Sequence, residues 1–158
     1  MNYSECIIKA KDRIGKFCKA CPECNGRACK NQMPGPGSKG IGDTAVRNYD
    51  KWKEIRVQMD TIAENKPVDT SLELFGKTFC YPVFAGPVGA VSLHYGDCLD
   101  DVAYNDILVS ACAENGIAAF TGDGVDSNVM VAATAAIKKA GGVGIPTVKP
   151  WNMETVFA

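Results

Sequence analysis

From Tyr81 onward, short apolar runs alternate with helical segments, and this alternation constrains the fold more than any other feature of the chain. The runs are YPVFAG (81–86), GIAAF (116–120) and VGIPTV (143–148). Helical patterns fill 99–115 and 126–140 between them, and Asn152 starts a third helix with Glu154 in its first turn. The runs lack polar alternation, as strands buried on both faces do. Apolar strands joined by helices imply a parallel sheet. A doubly wound sheet and a (β/α)8 barrel share this local grammar. Three βα steps do not close a sheet. The expectation is therefore the N-terminal part of a (β/α)8 TIM barrel, its first three strands, with the rest beyond Ala158.

The residues before Tyr81 follow other rules. Residues 3–16 read as a short amphipathic helix, with Ile7, Ile8 and Ile14 among basic residues and Gly15 at its end. Residues 17–42 hold four cysteines and few apolar side chains, so something other than a hydrophobic core must order them. Asp43 is placed to N-cap a helix running to about Glu64. On it Val46, Tyr49, Trp52, Ile55, Met59 and Ile62 form one stripe, and Asn65-Lys66-Pro67 ends it. LELFGKTFC (72–80) reads as a hairpin turning at Gly76-Lys77. The chain thus divides into a helical leader, 1–68, with a Cys-rich loop at 18–42, and a hairpin with βα units, 69–158.

Composition excludes several classes. The net charge of -1 argues against a nucleic-acid footprint. No apolar run approaches the length needed to span a bilayer. MNYSECIIKAKDRIGKFC carries charges throughout and has no secretory h-region. Eight cysteines without such a signal point to a reducing, cytoplasmic compartment.

The sharpest local motif is Cys18-x2-Cys21-x2-Cys24-x4-Cys29. Four thiolates this close along the chain suit an iron–sulfur cluster. Zinc normally takes two pairs held farther apart, and fits the compact run less well. A reduced, metal-free thiol loop is the third reading. Cys80 and Cys112 sit in apolar runs and read as core residues. Gly35-Pro-Gly37-Ser-Lys-Gly40 matches G-x-G-x-x-G in form, but no strand precedes it, so a loop is the better reading. His94, the single histidine, falls in the first βα loop, where a solvated ring is the commoner outcome. Asp97, Asp100 and Asp101 crowd a helix start and read as capping residues.

Ligands of a βα barrel bind at the C-terminal ends of its strands. Those ends are Gly86-Pro87-Val88-Gly89-Ala90, Thr121-Gly122-Asp123-Gly124 and Thr147-Val148-Lys149-Pro150. Small residues there let backbone amides approach a flat ligand. Thr121 and Thr147 can hydrogen-bond a ring edge, and Lys149 can set a positive charge near an electron-rich ring nitrogen, as flavin sites do. The plain alternative is that these are ordinary βα turns.

These strand ends resemble those of a known family. DTSLELFGKTFCYPVFAGPVGA (69–90) is similar to the first barrel strand, and the hairpin before it, of the FMN-dependent α-hydroxy-acid oxidising enzymes. Ala85-Gly86-Pro87-Val88-Gly89-Ala90 stands where that family carries Ala-Pro-Thr-Ala, and GIAAFTGDG and GIPTVKPWN follow in the expected order. The leader ACPECNGRACKNQMPGPG and the helix GDTAVRNYDKW resemble a clostridial-type branch. The resemblance implies backbone contacts from Pro87, Val88 and Gly89 to the flavin ring, with Thr121 and Gly122 at the family's small-hydroxyl position. Thr147 would stand near the usual ring-contacting Gln, and Lys149 near a substrate-facing Tyr. Both of these depart from the better-known oxidases. The Asn-His-Gly-Gly-Arg run that supplies the family's base and substrate-binding Arg is absent, and is expected beyond Ala158.

The resemblance therefore implies an FMN-dependent oxidoreductase that oxidises a small 2-hydroxy acid to the 2-oxo acid. The electron acceptor is open: oxygen, or another carrier reached through a cluster on the four cysteines. The complete enzyme is expected to be a homo-oligomer, and these 158 residues alone to be inactive. The alternatives are another FMN barrel, such as a type 2 isopentenyl-diphosphate isomerase or an IMP dehydrogenase relative, and a non-enzymatic metal-binding module built on the Cys loop.

Overall fold

Among the described residues the regular elements are, in order, α1 (Tyr3–Lys11), α2 (Thr44–Trp52), β1 (Leu72–Leu74), β2 (Lys77–Phe79), α3 (Val91–Tyr95), α4 (Asp101–Glu114) and α5 (Ser127–Lys139). The computed structural model describes residues 1–30, 32, 43–124, 126–149 and 152–154. The formal glycine motif at 35–40, and the helix expected after Asn152 beyond Glu154, lie outside the described residues. The chain divides into two compact units, Met1–Lys66 with Ser92–Cys98, and Pro67–Val91 with Leu99–Ala158.

In the first unit α1 starts on a capping box. The Asn2 side chain accepts from the Glu5 amide at 2.9 Å, and the Glu5 carboxylate accepts from the Asn2 amide at 3.1 Å. The helix is shorter than its sequence pattern, ending at Lys11. Gly15 then donates its N–H to the Tyr95 carbonyl at 2.6 Å, so it docks backbone on backbone.

The larger departure is α2. It stops at Trp52 rather than near Glu64, and the stripe residues Ile55, Met59 and Ile62 stand exposed, Ile62 at 96%. Short helices draw most of their stability from a packed apolar face. Periodicity supplies the stripe but nothing to pack it against. Asp43 takes the N-cap position without a side-chain cap bond, its carboxylate lying 3.9 Å from Arg47 Nε instead.

In the second unit β1 and β2 pair antiparallel, Leu72 opposite Phe79 and Leu74 opposite Lys77. The turn is Phe75-Gly76, one residue earlier than the sequence suggests. Both turn residues have positive φ, +53° and +70°, which is the type I′ geometry that matches strand twist. Lys77 therefore opens β2, and its ammonium donates to the Gly141 carbonyl at 2.9 Å.

The three apolar runs pair in parallel, each neighbouring pair through a single bridge among the described residues. Ala85 faces Ala119, and Phe120 faces Ile145. The Phe120 N–H donates to Ala85 O at 2.9 Å, the Ala85 N–H to Ala118 O at 3.0 Å, and the Ile145 N–H to Ala119 O at 2.9 Å. The segment order across this ladder is the chain order. Helices α4 and α5 make the crossovers and pack on each other. The core holds Val109, Cys112, Ala119 and Ala136, with Ala85, Leu108, Ile117 and Ile137 packed around it. Small residues on α5, Ala133 and Ala136, bring that helix close to its neighbours. Cys112 is buried as expected, whereas Cys80 is exposed at the end of the hairpin, its backbone bonded to Gly116 and its side chain lying against that glycine.

The hairpin lies against the starts of the parallel segments. Leu74, Phe79, Phe84, Ala118 and Ile145 line an apolar cavity of about 180 Å³ between them, and Phe79 meets Phe84 edge to face at 5.1 Å.

Candidate functional site at the strand ends

The three C-terminal ends are tied together at Thr121 and Gly122. Thr121 is fully buried. Its N–H donates to Ile145 O at 3.0 Å, and its hydroxyl oxygen accepts from the Thr147 amide at 3.3 Å. The second segment is thereby locked to the third. Gly122 locks the second to the first: a Cβ on it would lie 1.9 Å from the Val88 carbonyl oxygen. Gly89 repeats this in reverse, since its Cβ would fall 2.5 Å from the Asp123 carbonyl oxygen. Both glycines are thus required by the packing of one strand-end loop on the next.

Helix α4 holds these loops from behind. Asp100 caps it, accepting from the Ala103 amide at 2.7 Å. Asp101, read from sequence as a capping residue, instead accepts from the Val91 amide at 3.2 Å, which anchors the end of the first loop. Next to that amide, Ala90 takes φ of +52°, a left-handed conformation costly for a residue with a Cβ. One turn along α4, the Asn105 side-chain oxygen accepts from the Gly122 amide at 2.8 Å. Asn105 is completely buried, and its Nδ2 has no hydrogen-bond partner among the described residues. The Gly122 N–H can only donate, so the atom facing it is the oxygen and the unpartnered atom is the nitrogen. A neutral hydrogen bond nets about 0.5–1.5 kcal/mol, whereas an orphaned buried donor costs about 1–3 kcal/mol. Asn105 is thus no clear gain for the fold.

Sequence reading passed over Asn105 and the Asp101 contact. The signal was present: Asp101, Asn105, Val109 and Cys112 recur at the spacing of one helix face. Two short polar acceptors therefore stand on a stripe that is otherwise core.

Lys149 closes the third end. Its ammonium lies 3.4 Å from the Asp123 carboxylate, and the lysine side chain is 45% exposed. Pro87 is exposed, Val88 and Thr147 are half-buried, and the space where a side chain on Gly86 would project is open. These residues fit a flat heteroaromatic ring: an accessible backbone edge at Gly86-Pro87, a half-buried threonine, and a cation at the third end.

The cysteine motif does not assemble. Cys18, Cys21 and Cys29 are half-buried and Cys24 is exposed. Among the described residues no group of three or more Cys, His, Asp or Glu side chains stands close enough to hold a metal ion. The arrangement of these side chains lends no support to an iron–sulfur cluster or a zinc site there. Other contacts order the loop. The Tyr3 hydroxyl donates to Pro22 O at 2.8 Å, the Tyr49 hydroxyl donates to Glu23, and Arg27 pairs with Asp50 at 3.3 Å. Donation to Glu23 pushes the Tyr49 hydroxyl pKa above its usual value. His94 sits in α3, half-buried, its ring edge-on to Tyr95 at 6.1 Å. Burial pushes the Cys112 thiol up, and burial, reinforced by Cys112, does the same to Tyr104. A thiol held neutral in this way is a packing group rather than a nucleophile.

The FMN-dependent dehydrogenase family matches residues 36–149, a span that contains the hairpin, the three parallel segments and both crossover helices. The chain belongs to the FMN-dependent dehydrogenase family. Comparison with curated proteins and with solved structures finds no match. Membership makes this an FMN-dependent oxidoreductase sequence, and the matched span holds the first two strand ends and the third as far as Lys149. No helix among the described residues is long and apolar enough to cross a membrane.

Proposed function

We propose that the chain contributes the first three βα steps of a (β/α)8 barrel that oxidises a small 2-hydroxy acid to its 2-oxo acid. In this reading residues 1–68 are a leader of a clostridial-type branch, residues 69–158 belong to the barrel, and the enzyme works in the reducing cytoplasm. The observation that carries the proposal is the convergence of three parallel strand ends on Thr121 and Gly122, inside the span matched by the family. C-terminal strand ends are where barrels of this kind place their chemistry.

FMN supplies the two-electron acceptor for oxidation at the α-carbon. This chain's residues do the holding. The backbone at Pro87 and Val88 borders the ring, with Gly89 and Gly122 keeping the two loops pressed together. Thr147, fixed through its amide to Thr121, presents its side chain at the third end. Lys149 brings an ammonium whose charge favours the electron-rich, reduced form of the ring. Asp123 holds that ammonium in place between turnovers. No electron step is drawn through the four cysteines, whose arrangement gathers no metal site.

The test is an anaerobic absorbance spectrum of the native gene product, titrated with lactate and glycolate. Flavin bands that bleach on addition of a 2-hydroxy acid support the proposal. Flavin bands that stay unbleached with every 2-hydroxy acid tried would remove the substrate and leave the family.

A further inference from the structure

We propose that Asn105 is a positioning residue for FMN, acting through the Gly122 amide, with Asp101 as its companion one turn earlier. The proposal rests on the reading that the strand ends hold FMN.

Helix α4 presents two short polar side chains to the strand-end loops. Asp101 and Asn105 are four residues apart and so share a helix face. Each spends its side-chain oxygen on one backbone N–H of a strand-end loop: Asp101 on Val91 at 3.2 Å, Asn105 on Gly122 at 2.8 Å. The first loop and the second are thereby indexed to the same rigid helix. Gly122 is also the point where the Val88 carbonyl presses on the second segment, and its neighbour Thr121 grips the Thr147 amide. A shift at Gly122 is transmitted to Val88 on one side and to Thr147 on the other. These are the groups that border the ring.

Stability does not explain the asparagine. It is fully buried and, among the described residues, its side chain makes one hydrogen bond and leaves Nδ2 without a partner. An orphaned buried donor costs more than a single neutral hydrogen bond returns. An apolar residue of similar shape would remove the orphaned Nδ2 and orphan the Gly122 N–H in its place, so the two costs roughly balance. What it would lack is the acceptor that fixes the Gly122 amide. The residue is understandable if the location of that amide matters more than the stability it yields.

The experiment compares Asn105→Leu and Asn105→Asp with wild type in the full chain. Two quantities are read: FMN affinity by flavin fluorescence titration, and thermal unfolding of the cofactor-free protein. Asn105→Leu should weaken FMN binding by roughly tenfold or more, the scale on which small misplacements act. Its unfolding midpoint should stay within about 3 °C of wild type. Asn105→Asp, assayed near about pH 5 where burial keeps the carboxyl protonated, retains an acceptor and a donor. It should restore affinity to within about threefold of wild type.

Leu binding FMN as wild type does, or Asp binding as weakly as Leu, overturns the proposal. So does an Asn105→Leu midpoint that falls in step with affinity, because Asn105 is then structural. A wild-type chain that takes up no FMN overturns it too. A wild type that binds FMN but ignores 2-hydroxy acids removes the substrate reading alone and leaves Asn105 in its role.

Discussion

Each of the two units is held together internally by its own kind of contact. In the second, buried backbone and side-chain groups interlock: Thr121 on Thr147, Asn105 on Gly122, Gly122 against Val88, Gly89 against Asp123. In the first, the ties that order the cysteine loop are exposed: Tyr3 on Pro22, Tyr49 on Glu23, Arg27 on Asp50. The buried hydrophobic residues tell the same story, since only Ala20 of that set belongs to the first unit. Exposed ion pairs are screened and individually weak. Groups locked at van der Waals distance cannot move singly. The strand-end unit is therefore the one in which a small sequence change should have a large effect.

The sharpest way to break this contrast is Gly122→Ala. Its new Cβ would lie 1.9 Å from a backbone oxygen, which no side-chain rotation can relieve. We expect a loss of more than about 3 kcal/mol in urea unfolding, at the upper end of overpacking costs. A loss below about 1 kcal/mol would show that the Val88 loop yields freely, and the two units would then differ little.

Thiol chemistry compares the units directly. Cys24 is exposed, while burial raises the pKa of Cys112. A raised thiol pKa means the folded state favours the neutral form. That contribution to stability is complete below the ordinary thiol range and drains as pH rises through the raised value. At about pH 8, Cys24 should react with an aromatic disulfide at least ~100-fold faster than Cys112, which should react only on unfolding. Equal rates would mean that the core around Val109 and Ala136 opens as readily as the cysteine loop.

The smallest effect is expected from Arg27→Ala. Its pair with Asp50 is roughly half exposed on both sides, so stability should fall by less than about 0.5 kcal/mol. A larger loss would mean that the exposed ties act as a network, and would narrow the distance between the units.

The sequence reveals these regions unevenly, for physical reasons. Ala85, Ala119, Phe120 and Ile145 fall inside the three apolar runs because strands covered on both faces need uninterrupted apolarity. The hairpin is visible from Gly76, but glycine alone does not say whether it is the first or second residue of its turn. The α2 stripe is misleading beyond Trp52, since period shows which face a helix would bury and not whether anything covers it. The cysteine spacing likewise shows that four thiols are near in sequence, not that the loop folds around a shared centre. Asn105 is the hardest case. A polar residue on a helix reads as solvent-facing, and only the chain fold brings the Gly122 amide to it from 17 residues away.

The Lys77 bond to the Gly141 carbonyl joins positions 64 residues apart. Local contacts between α4 and α5 close short loops and form early, while a tie of this span has far more chain to gather. The hairpin backbone can reach Gly116 once α4 is complete, but its Lys77 tie waits until the chain has passed the end of α5. On a ribosome the hairpin would emerge ahead of both crossover helices, with only Phe84 to pack on Phe79 while they are made. The apolar lining of Phe79, Phe84 and Ile145 would stay wet through that interval, which makes translation, rather than the finished fold, the stage at which this chain is most open to association with its neighbours.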